Sequence, residues 1–133
     1  IVRAGKYTFY KYDFIPGKNM NTCSQRVIER NAWQWGAQLA EFINAVHNSR
    51  PNEIDDLRGD TPGDGWNHND MCNNIIDDKK TNKIVGVIDW EYAGWGTLET
   101  EFNNLVAFSK KVRDSGILVA VMSHYQSISG GKK

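Results

Sequence analysis

The sequence predicts an α+β fold, mainly helical, with a short β-hairpin near its middle. Three patterns carry that expectation. Apolar residues recur at steps of three and four from Ile28 to Val46, two short β-branched runs flank a polar turn at 77–83, and helical spacing returns beyond Leu98. At 133 residues the chain is about one domain long and can bury a sizeable core. A formal net charge of zero removes the electrostatic case for nucleic acid or an anionic membrane surface as partner. No apolar run approaches the ~20 residues that would span a bilayer.

Residues 1–16 read as extended. Tyr7, Phe9, Tyr10, Tyr12 and Phe14 are β-favouring aromatics, and Gly5-Lys6 can turn one strand into the next. Such a pair is marginal alone and needs further strands. Pro16-Gly17 ends the run. Over 23–48, Ile28, Ala32, Trp35, Leu39, Phe42 or Ile43, and Val46 define an amphipathic helix. Thr22 or Ser24 can cap its start, and Pro51 lies just past its end.

Residues 49–65 are rich in Pro, Asn, Asp and Gly and read as a long loop. From Glu53 to Asp78 eight acids stand against one base, Arg58. That stretch is either a solvated loop or a local field favouring a metal ion or a cationic substrate. Residues 74–76 and 84–88 then read as the two strands of the hairpin. An aromatic loop, Trp90 to Gly96, leads into a helix at about 98–112, with Phe102, Leu105 and Val106 inward and Glu99 and Glu101 in the first turn. A last helix is expected at 117–127. His47 and His124 fall on helices and read as capping or surface residues. Cys23 and Cys72 lack metal-type spacing, which points to free thiols in a reducing, cytoplasmic setting.

The chemistry lies at the ends of the hairpin. Asp70 precedes its first strand and Asp89 follows its second, so the turn folds both carboxylates toward one end. Phosphoryl transfer from ATP needs a carboxylate to take the acceptor proton and hard oxygen ligands to hold Mg²⁺ against the phosphates. A pair of aspartates so placed can fill those roles. Trp90, Tyr92 and Trp95, beside Glu91, offer aromatic faces to a cation, or pack against the C-terminal helices.

His68-Asn69-Asp70, Asn74-Ile75-Ile76 and Ile88-Asp89-Trp90-Glu91-Tyr92 resemble the catalytic and metal motifs of the aminoglycoside phosphotransferase and choline/ethanolamine kinase superfamily. Asn69 and the Trp90-Glu91-Tyr92 run look more like the choline kinase branch. Tyr12 to Lys18 is similar to the linker between that family's lobes, and Gln38 to Phe42 with Val46-His47 to the helix that follows. The resemblance covers about residues 7–108.

It implies a protein-kinase-like C-lobe at 19–133 with remnant N-lobe strands and the linker at 1–18. Asp70 would be the catalytic base and His68 a brace for its loop, while Asp89 and Asn74 would be Mg²⁺ ligands. The family places its Asn five steps after the Asp, whereas Asn74 stands four steps after Asp70. Either the loop is one residue shorter, or the strand register brings Asn73 into play.

The implied activity is transfer of the ATP γ-phosphoryl to a hydroxyl of a small cationic molecule of the choline or ethanolamine kind. Two alternatives remain open at this point. One is an antibiotic kinase whose acids, Glu91, Glu99 and Glu101, bind several ammonium groups; the other is a kinase-like module that binds without catalysis. No start methionine, phosphate-covering loop or Lys-bearing strand is seen, so the chain is expected to be a C-lobe fragment, inactive by itself, whose open sheet edges would favour a homodimer.

Overall fold

The computed structural model describes residues 2–4, 7–9, 14–49 and 65–129, the first two groups as backbone. Residues 50–64, which make up nearly all of the expected loop and hold five of the eight acids of the acid-rich stretch, lie outside the described residues, as do the linker residues Tyr12 and Asp13 and the tail from Gly130.

Strands β1 (Val2–Ala4) and β2 (Tyr7–Phe9) pair antiparallel, Ala4 opposite Tyr7, as the Gly5-Lys6 pattern predicts. Helix α1 (Gln25–His47) follows a two-residue strand, β3 (Lys18–Asn19), and a short 3₁₀ turn, Met20–Thr22. The Ser24 hydroxyl accepts from Val27 N at 3.3 Å and caps the helix. Ile28, Ala32, Trp35, Leu39 and Ile43 make its buried stripe, at the steps read from the sequence. Each large apolar side chain so buried is worth about 1.5–3 kcal/mol.

Opposite α1 lies α4 (Ile117–Ser129). Their close crossing needs Gly36: a Cβ there would sit 2.6 Å from Ala120 Cβ. Helices α2 (Leu98–Val106) and α3 (Lys110–Asp114) close the core with Leu105 and Val112. The single helix expected at 98–112 is broken at its end, and Ser109 is the reason. Its backbone is extended (φ −142°, ψ 114°), and its hydroxyl accepts from Val112 N to cap a new helix.

The hairpin forms as β5 (Ile75–Asp78) and β6 (Lys83–Val87), with β3 added on the far side of β5. Asp78 accepts from Lys80 N and Thr81 Oγ1 to shape the turn, and Asn82 takes a left-handed φ of 54°. α1 covers the outer edge of β6. The Gln38 side chain accepts from Ile84 N at 3.0 Å and donates to Ile84 O at 3.1 Å, in the place of a neighbouring strand. Trp35 Nε1 donates to Asn82 O at 2.8 Å. A dimer built on that edge would have to displace Gln38.

The aromatic loop is more regular than its sequence suggests. β4 (Gly65–Asn67) pairs with β7 (Gly94–Gly96), Trp66 opposite Trp95. This pairing also corrects the reading of His47. It is buried rather than on the surface, because β4 runs directly over the end of α1; a Cβ on Gly65 would lie 2.2 Å from His47 O. The Nδ1 of His47 meets Asn67 Oδ1 at 3.1 Å, and Asn67 Nδ2 donates to Thr97 O. His124 is half-buried, its ring 4.1 Å from that of Trp33. Cys23 and Cys72 are free and buried. Among the described residues no helix is long and apolar enough to cross a membrane.

Candidate functional site

β4 delivers the chain to His68, which is fully buried. Asn69 follows in a left-handed conformation (φ 70°), a geometry that Asn tolerates better than most residues. Asp70 then leads into a 3₁₀ turn, Met71–Asn73, with Met71 and Cys72 anchored in the interior. Asn74 ends the turn and hands the chain to β5.

Polar contacts lock this loop at nearly every residue. Asp70 N donates to His68 Nδ1 at 3.1 Å, so Nδ1 is unprotonated, and Nε2–H donates to the Ile88 carbonyl at 2.8 Å. Ile88 N in turn donates to Asn74 O at 2.9 Å. Asn74 Nδ2 reaches back to Asp70 O at 2.7 Å and Asp70 Oδ2 at 3.2 Å. That leaves the Asn74 amide oxygen as the atom able to face a cation.

Asp89, the residue after Ile88, is exposed and also left-handed (φ 60°). Non-glycine residues held there cluster at working sites. Both aspartates act on the same imidazole. Burial holds His68 below its ordinary value; the Ile88 carbonyl and the charges of Asp70 and Asp89 oppose that shift. His68 is thus the neutral strut between the two carboxylate-bearing segments.

The structure therefore brings His68, Asp70, Asn74 and the Asp89 segment together. Trp90 joins them: its ring lies 4.7 Å from that of His68 and 5.7 Å from that of Phe42, and Nε1 donates to Val87 O. It rests on α1 rather than on the C-terminal helices, with 41% of its surface open. Tyr92 is 44% exposed, and its carbonyl accepts from Asn69 Nδ2 at 2.9 Å. Glu91 is exposed. The Trp95 ring meets Trp66 edge-on at 5.4 Å.

Sequence reasoning missed the part played by Glu101. Rather than facing solvent from the first turn of α2, it is 2% exposed and turned under the loop that begins at His68. Its carboxylate accepts from His68 N at 2.6 Å and Asn69 N at 3.0 Å. Burial raises its pKa, and the two N–H donors offset part of that. The signal was present: Glu101 lies four residues before Leu105, on the inward face of α2.

Among the described residues no group of three or more His, Cys, Asp or Glu side chains is gathered as a metal site. The donor set on offer is two carboxylates and one amide oxygen. These are hard oxygen ligands, suited to Mg²⁺, which takes one or two carboxylates and completes its shell with phosphates and water.

The sequence profile of a phosphotransferase enzyme family matches residues 24–130, nearly the whole of the described helical part and both motifs. No curated protein and no solved structure matches the chain.

Proposed function

The chain belongs to the phosphotransferase enzyme family, and from that premise we propose that it forms the acceptor-side, catalytic lobe of an ATP-dependent kinase for a small cationic alcohol of the choline or ethanolamine kind. Residues 19–133 would be a kinase-like C-lobe, with 1–18 as linker and remnant strands of the nucleotide-gripping lobe. The observation that carries this reading is the His68 strut, which ties the Asp70 loop to Ile88, the residue before Asp89, through one imidazole.

In the proposed reaction Asp70 accepts the proton of the substrate hydroxyl. The freed oxygen bonds to the γ-phosphorus as the β–γ bridging bond breaks, and ADP leaves with that electron pair. Asp89 and the Asn74 amide oxygen would hold Mg²⁺, which when bound neutralises phosphate charge. Asn74 suits this role better than Asn73, whose side-chain oxygen is already engaged by Asn21. Trp90 presents a partly open aromatic face beside the exposed Glu91, a combination that attracts a quaternary or primary ammonium. With Glu101 consumed by the catalytic loop, one of the three acids considered for an antibiotic's ammonium groups is withdrawn.

A second reading, a kinase-like module that binds without catalysis, is favoured by the four-step spacing from Asp70 to Asn74. Phosphorylation of a mixed panel of amino alcohols, aminoglycosides and neutral sugars by the full-length protein with Mg²⁺-ATP separates the readings. Amino alcohols as acceptors are the expected outcome. Aminoglycosides alone would shift the substrate class, and no acceptor at all would support the module.

A further inference from the structure

Asn73 stands beside Asn74, yet its polar atoms are engaged from outside the loop. Its carbonyl accepts from Asn19 Nδ2, and its Oδ1 accepts from Asn21 Nδ2 at 2.6 Å. Both partners are themselves fixed. Asn19 pairs with Ile76 across β3 and β5, its Oδ1 accepts from Asn21 N at 2.9 Å, and its carbonyl accepts from Thr22 Oγ1 at 2.7 Å. Met20, between the two asparagines, is fully buried. Residues 18–22 are thus pinned to the sheet and to the core, and two asparagines reach from them to the catalytic loop.

The loop from Asp70 to Asn74 is therefore held from two sides. Inside, the Asn74 amide is spent on Asp70; outside, Asn73 is gripped by Asn19 and Asn21. Asn73 is exposed, and a lone surface hydrogen bond would mean little. Two bonds converging on one residue of a three-residue turn leave it little freedom to rotate.

We propose that Asn21 and Asn73 are positioning residues, forming an asparagine clamp that fixes the Met71–Asn73 turn and so aims the Asn74 amide oxygen toward the Asp70–Asp89 site. This rests on the reading of Asn74 as a metal-side residue. Displacement of the segment before β3 would then be felt at Asn74, which makes residues 18–22 the route by which that segment acts on the site.

The test is side-chain amide ¹⁵N relaxation of Asn74 in the metal-free chain. The clamp has a direction, because Asn21 donates and Asn73 Oδ1 accepts. Asn21→Ala and Asn21→Asp should both loosen the Asn74 side chain, whereas Asn73→Asp, which keeps the acceptor, should leave it ordered. Equal order in wild type and Asn21→Ala overturns the clamp. A Mn²⁺ titration of the same samples separates the two claims. Wild-type broadening at Asn74 and Asp89 is expected, with roughly three- to tenfold more Mn²⁺ needed in Asn21→Ala, the change that one lost hydrogen bond implies. Where the wild type broadens, an identical titration in the variant also overturns the clamp. Absence of broadening in wild type counts against the metal reading, and the metal-free order still decides the clamp.

Discussion

The carboxylate of Glu101 spans two consecutive peptide groups of the loop that carries Asp70, accepting from His68 N at 2.6 Å and from Asn69 N at 3.0 Å. With the Asp70 N–H directed to His68 Nδ1, three successive backbone donors are satisfied by side chains. Backbone carbonyls of a helix or ladder do not serve these three donors, because residues 68–70 are neither helix nor strand.

Glu101→Gln keeps the shape but places an NH₂ against one of those N–H groups. The expected cost is about 1–3 kcal/mol of stability. A pH dependence accompanies it. Burial raises the Glu101 carboxyl above its ordinary 4.5, so the folded chain holds this proton more tightly than the unfolded chain. Its contribution is therefore full below about pH 4.5 and lost as pH rises through the folded value. Thermal unfolding of both proteins from about pH 4 to 7.5 should show that component of the slope only in the wild type; equal slopes would remove Glu101 as its source.

His68→Ala should cost more, about 3–5 kcal/mol. The change opens a cavity at a fully buried site and strands the Asp70 N–H and the Ile88 carbonyl. Denaturant unfolding measures this, and a loss under 1 kcal/mol would mean that the two segments are held together by something other than the imidazole.

Asp89→Asn is the informative change at the second aspartate, since Asn accepts the left-handed backbone as readily as Asp. Stability should stay within about 0.5 kcal/mol. Turnover in the full-length protein should fall by more than the roughly 100-fold typical of an outer-shell metal partner. Retained turnover would take Asp89 out of the mechanism.

Trp90→Ala should raise KM for a cationic acceptor by roughly 2- to 30-fold, the range that one cation–π contact implies, and leave a neutral acceptor unaffected. Equal effects on both would assign Trp90 to packing on Phe42 and His68 alone.

Much of this was legible in the sequence because it is local. The α1 stripe from Ile28 to Ile43, the hairpin around Asp78 to Asn82 and the two flanking aspartates all follow from periodicity and turn chemistry. The contacts that organise the site are long-range: Glu101 with His68, Gln38 with Ile84, Asn21 with Asn73. No spacing rule announces them. The β4–β7 pair was hidden for the same reason, as three-residue strands with a glycine at one or both ends carry almost no pattern. The break at Ser109 was readable in principle, since Ser followed by Lys110, Lys111 and Val112 is an ordinary helix start.

The central claim is that Asp70 and Asp89, joined by His68, serve a single divalent ion. Anomalous diffraction from crystals of the full-length protein with Mn²⁺ and a non-hydrolysable ATP analogue tests it most directly. One peak is expected, in contact with an Asp89 oxygen and with Asp70 lining the same cavity. A peak that touches neither residue would contradict the account.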